Sequence, residues 1–156
     1  MSFEGLAPKQ NVIWSLRRKG LEPVEIARRL KTSRQFVHQT LNTADSKVSA
    51  FLSDTAQANR IEIQSLDIRN GILVGFHRGL ETPAVISYSG EQGVQVWYWH
   101  ERAEACEACE QVHRCKSYLL NEAEEREIEL TEDERKLPPA RLAHVVFSRL
   151  TPGLKS

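Results

Sequence analysis

Three cysteines, Cys106, Cys109 and Cys115, fall within ten residues as C-x2-C-x5-C, with His100 and His113 close by. An odd, tightly clustered set of thiols favours metal or redox chemistry over structural disulfides. Thiolates are soft ligands that suit zinc and iron–sulfur centres. Three Cys with one His complete a tetrahedral zinc site, and structural zinc is the favoured reading. His100 is the preferred fourth ligand, because a ligand at a strand end would tie sheet to helix. His113 is the alternative, four residues after Cys109 and so on one face of a helix with it. Glu107 and Ala108, between the first pair, are helix formers rather than the Gly or Pro usual in zinc knuckles. That leaves open an iron–sulfur cluster, a thiol switch between Cys106 and Cys109, or cysteines that bind nothing. Catalytic zinc keeps one position open for water, and three Cys without a nearby general base suit that poorly. The chain also lacks a phosphate-cradling Gly loop, a His-Glu-x-x-His pattern and any nucleophile–base spacing, so no enzyme is expected.

A second set of residues points to a polyanion. Residues 1–60 hold ten Lys/Arg against five Asp/Glu, a balance of +5, and residues 61–156 hold eleven against sixteen, a balance of −5. The formal net charge of zero hides this division. The basic part contains GLEPVEIARRLKTSRQFVHQTL, Gly20 to Leu41. Ala27 suits a close helix crossing, and Ile26, Leu30, Val37 and Leu41 suit the small core beneath it. At the turn many such motifs place Gly, and this chain has Lys31. A left-handed Lys costs about 1 kcal/mol or more, unless the turn is of another kind.

The stretch EIARRL followed by TSRQFVHQTL resembles the helix-turn-helix of sigma-factor region 4 and of LuxR-type regulators. It is most similar to the archaeal Tfx-type regulators, in which a basic motif of this sort runs into a long helix. The resemblance covers residues 8–60. It implies a third helix lying in the major groove of double-stranded DNA, with its N-terminal residues against base edges. Ser33, Arg34, Gln35, His38 and Gln39 are then the outward positions. Arg suits a bidentate contact to guanine and Gln one to adenine, while Ser33 serves as cap and phosphate contact. Arg17, Arg18, Lys19, Arg28, Arg29 and Lys31 are the phosphate candidates, which give affinity without sequence information. The competing reading is a solvated basic face on a trihelical protein-interaction module.

The elements that must position these residues follow from punctuation and period. Pro8 opens a helix with Val12, Ile13, Leu16 and Trp14 as its apolar side, and Gly20 ends it. Pro23 opens a second, with Val24, Ile26, Ala27 and Leu30 inward. Ser33 caps a third. The stripe Val37, Leu41, Ala44, Val48, Phe51/Leu52 then continues without Gly or Pro, as one long helix or two. Such a stripe could pair two subunits in a homodimer or pack within its own chain. After Arg60 the period shortens to that of strands, with Asn70-Gly71 as a hairpin turn. Arg78 to Pro83 reads as a loop, Ala84–Tyr88 as a strand, and Val94–Trp99 as another. Helices resume from Glu101, with a short strand at Ile128–Leu130, a capping box at Thr131–Glu134 and a last helix over about Ala140–Leu150. Glu122, Glu124, Glu125, Glu127 and Glu129 read as a solvated face.

The expected fold is therefore α+β. Residues 1–43 form a helix-turn-helix, 44–60 a connecting or dimerisation helix, and 61–156 an α+β sensor or dimerisation domain around the Cys cluster. Hydrophobic residues make up 40% and charged residues 27%, ordinary for a globular chain. No apolar run reaches the ~18 residues of a membrane span, and Met1–Gln10 lacks the pattern of a signal peptide. The expectation is a cytoplasmic regulator of transcription with no membrane partner.

Overall fold

In the computed structural model, which describes residues 5–99 and 109–151, three helices come first: α1 (Pro8–Arg18), α2 (Pro23–Leu30) and α3 (Arg34–Ala58). Their limits follow from the expected signals. Pro8 and Pro23 stand at first-turn positions, where a missing N–H costs nothing. Ala7 N donates to Gln10 Oε1 at 3.0 Å, which ties down the start of α1. Gly20, at φ 105°, lets the chain leave that helix. Ser33 Oγ accepts from Phe36 N at 3.0 Å, capping α3.

The third helix is a single element of 25 residues, about 37 Å long at 1.5 Å per residue. Val37, Leu41, Ala44, Val48, Leu52 and Ala56 recur every three or four residues, and all are buried. The first part of this stripe packs on α1 and α2, and the later part on the sheet. The stripe is therefore covered by its own chain and does not remain as a surface for pairing two subunits.

Four strands follow, β1 (Ile61–Asp67), β2 (Ile72–His77), β3 (Thr82–Ser89) and β4 (Gly93–Tyr98), in the order β1-β2-β3-β4. β1 pairs antiparallel with β2, and β2 with β3. The first hairpin turns at Ile68–Gly71, where Asn70 N donates to Asp67 Oδ1 at 3.1 Å and its amide to Oδ2 at 2.7 Å. Gly71 sits at φ 70°, and a Cβ there would lie 2.6 Å from the Tyr88 carbonyl oxygen and 2.9 Å from the Trp14 ring. Only glycine fits that approach. β3 begins two residues earlier than the sequence suggests. Pro83 pairs opposite Phe76, near the strand start where a missing N–H is tolerated. His77 Nδ1 accepts from Leu80 N at 2.9 Å and shapes the next turn.

The sheet and the helices share one core. Tyr88 on β3 meets the Trp14 ring edge-on at 5.4 Å and Phe51 of α3 at 5.4 Å, and its hydroxyl accepts from Leu6 N at 3.0 Å. One compact unit runs through Trp97, and a second begins at Tyr98. The sequence-based division placed the sheet with the C-terminal helices in 61–156; by packing, the sheet belongs with α1–α3.

The second unit contains α4 (Val112–Glu125), the short α5 (Glu132–Arg135) and α6 (Pro139–Leu150). Leu119 and Ala123 of α4 and Leu142, Ala143, Val146 and Phe147 of α6 are buried as the two helices pack. The capping box forms as expected, with Thr131 N donating to Glu134 Oε1 at 2.9 Å and Glu134 N to Thr131 Oγ1 at 3.1 Å. Ile128–Leu130 is not a strand but an irregular connection. Ile128 N closes the end of α4 on the Ala123 carbonyl at 2.8 Å, with Glu127 left-handed at φ 56°. Glu122 is not part of a solvated face either. Its side chain is 0% exposed and pairs with Arg126, 2% exposed, at 2.6 Å. His144 stacks on Trp99, ring centroids 4.2 Å apart and planes at 11°.

Among the described residues no helix is long and apolar enough to cross a membrane.

Candidate nucleic-acid interface

The link between α2 and α3 is three residues long and built on Lys31. Its backbone is left-handed, φ 55° and ψ 47°, so the Gly-like conformation is kept by a residue that bears its cost. Thr32 N donates to the Ala27 carbonyl at 3.0 Å and Lys31 N to that of Arg28 at 3.4 Å, which satisfies carbonyls at the end of α2. Ser33 then returns to extended backbone and starts α3.

Beneath the turn lies a small core of Ile13, Ile26, Ala27, Val37 and Leu41, with Leu16 and Leu21 packed against it. The spacing-based assignment of Val12, Val24 and Leu30 to that core does not hold, because all three are exposed. α2 has only eight residues and buries a narrow stripe, Ile26 and Ala27. On α1 the buried pair is Ile13 and Trp14.

The core fixes what faces outward. Arg34, Gln35, His38 and Gln39 are all exposed on the first turns of α3. Gln35 and Gln39 are four apart and share a face. Asn42 and Ser46, also exposed, continue that face at spacings of three and four. The sequence reading missed both; the signal was the same periodicity applied to polar instead of apolar positions. Lys19, Arg28, Arg29 and Lys31 are exposed around this end of the unit.

Two of the expected phosphate contacts have other roles. The Arg17 guanidinium forks onto the Asp45 carboxylate, Nη1 to Oδ2 at 2.8 Å with Nη2 on Oδ1. It braces α1 against α3, half-buried, with its charge already matched. Arg18 places its guanidinium carbon 5.8 Å from the centre of the Trp14 ring and is half-buried there. Sequence cannot separate such arginines from Arg28 and Arg29, since the partner Asp45 lies far along the chain.

The cysteine segment is described only in part. Cys106 and His100 lie outside the described residues. Cys109 is exposed and Cys115 half-buried. Cys109 precedes α4, which starts at Val112, so it does not share a helical face with the exposed His113. Among the described residues no group of three His, Cys, Asp or Glu is placed to hold a metal.

Comparisons with protein-family models, with curated proteins and with solved structures found no match for this chain.

Proposed function

We propose that α2, its turn and α3 act as a helix-turn-helix that binds double-stranded DNA sequence-specifically, and that the protein regulates transcription. The observation that carries this reading is the exposed start of α3. A guanidinium, two carboxamides and an imidazole project there from a helix held rigid by the Ile13–Ile26–Val37–Leu41 core. Arg34 suits guanine, and Gln35 and Gln39 suit adenine. Lys19, Arg28, Arg29 and Lys31 supply attraction to phosphates on either side. Arg17 and Arg18 are left out of the interface, and Asn42 is added to its reading face.

The test is selection of duplexes from a randomised pool by the purified chain, followed by salt titration. Arg34→Ala is expected to cost about 1–3 kcal/mol, roughly a five- to 150-fold loss of affinity, and to relax one position of the selected sequence. Arg28→Ala is expected to weaken all sequences alike and to lower the salt slope by about 1. Absent binding, or binding indifferent to both salt and Arg34, would favour the protein-interaction module instead. A homodimer is a separate proposal that needs a surface other than the α3 stripe, and sedimentation with and without the selected duplex measures it.

A further inference from the structure

Beside the start of α3 the three helices leave an apolar groove of about 310 Å³ open to solvent. Val12 of α1 is 48% exposed, Leu30 of α2 38% and Phe36 of α3 37%. Phe36 stands in the first turn of α3, directly after Arg34 and Gln35. Lys9 Nζ lies 5.7 Å from the centre of its ring, a cation–π distance. Three large apolar side chains from three helices, converging and left wet, mark a surface that something covers. Its occupant has to be apolar at the contact and anionic around it.

We infer that Phe36, with Val12 and Leu30 behind it, receives the C5-methyl group of thymine in the DNA major groove, while Lys9 meets the neighbouring phosphate. The inference rests on the DNA-binding reading and adds the base chemistry that reading lacks. Thymine methyl is the apolar group that the major groove offers, and Phe is among the side chains that contact it. The cationic rim matches the phosphates that flank any base. An apolar contact of this kind also explains why α3 presents an aromatic where the neighbouring positions are polar. Phe36 follows Gln35 by about 100° around the helix, so the thymine would flank the base read by Gln35, on the side of α1.

The test uses the full chain and the duplex it selects. Each thymine is replaced in turn by deoxyuridine, which removes only the methyl. At one or two positions the wild type is expected to bind about fourfold more weakly for each methyl lost, from the ~0.8 kcal/mol of a buried CH₂-sized group. Phe36→Ala is expected to bind thymine and deoxyuridine duplexes equally, and Phe36→Leu to keep part of the discrimination. Phe36 is more than a third exposed, so both variants should fold, and circular dichroism checks this. A selected duplex without thymine near the Gln35 contact, or equal binding of all deoxyuridine duplexes, overturns the inference while leaving DNA binding intact. A pool that yields no bound duplex overturns both readings. Unchanged thymine discrimination in Phe36→Ala, accompanied by loss of a dimer in sedimentation, assigns the groove to a second copy of the chain and overturns it as well.

Discussion

Replacing Lys31 by glycine separates the backbone of the turn from its chemistry. Lys31 is left-handed, at φ 55° and ψ 47°, a conformation that costs a residue with a Cβ about 1–2 kcal/mol. Glycine adopts it freely, but loosens the unfolded chain at a cost of about 0.5–1 kcal/mol. The net expectation for Lys31→Gly is a gain of roughly 0.5–1 kcal/mol, and a rise in Tm of about 1–4 °C for a chain of this size. Lys31→Ala is the control. It keeps the strain and removes the same exposed side chain, so it should stay within about 0.5 kcal/mol of wild type. Thermal unfolding followed by circular dichroism measures both variants. DNA binding should respond in the opposite sense. On the proposed DNA-binding reading each variant gives up one phosphate contact, so the slope of log K against log salt should fall by about 0.9 in both. A Lys31→Gly protein no more stable than Lys31→Ala would refute the strain argument, and an unchanged salt slope would remove Lys31 from the interface.

Other expectations follow from single contacts. Gly71→Ala should cost about 2 kcal/mol or more in urea unfolding, because its methyl would meet the Tyr88 carbonyl and the Trp14 ring at φ 70°; a near-neutral variant would show that the hairpin is not seated on α1. Glu122→Ala removes the buried carboxylate that Arg126 donates to and should cost about 3–5 kcal/mol, whereas Glu122→Leu with Arg126→Met should be close to neutral; equal losses in the two would count against a desolvated pair. The Glu134 carboxyl is held below the usual range, first by the Thr131 N–H, with desolvation opposing and the Arg149 guanidinium and Thr131 hydroxyl adding to the lowering. Its stabilisation is therefore complete above the ordinary carboxylate range and lost as pH falls through that range and past its lowered folded value, so the difference in Tm between wild type and Glu134→Gln should shrink on acidification; a constant difference would contradict this. For the cysteine segment we propose structural zinc on Cys106, Cys109, Cys115 and His100, a reading that rests on sequence spacing. Anaerobically purified protein should be colourless with one zinc per chain, a brown preparation would assign an iron–sulfur cluster, and metal-free protein would refute both.

Local chemistry was written in the sequence wherever one or two residues suffice to bias the backbone. Pro8, Pro23, Gly20 and Ser33 set the ends of α1–α3, Asn70-Gly71 the first hairpin turn, and Thr131 with Glu134 the cap of α5. The unbroken period from Val37 to Ala56 dictated a buried stripe, and an α+β class followed from the change of period after Arg60. What that stripe packs against was not legible, since the same pattern serves a partner chain or its own sheet; Tyr88 and Phe51 meet only because β3 folds back onto α3. Nor could sequence tell which charges are matched. Arg17 finds Asp45 28 residues away and braces α1 against α3, while Glu122, one of a run of acids, turns inward to Arg126. Val12, Val24 and Leu30 carry the right residue types for a core and still stay wet, because two short helices packed on the start of α3 enclose too little volume to bury every apolar side chain they bear. Residue type and spacing determined which side of α3 is polar and exposed; only the tertiary packing decided that Phe36 is left exposed beside Val12 and Leu30, and that Arg17 is matched by Asp45 and Arg18 set against Trp14.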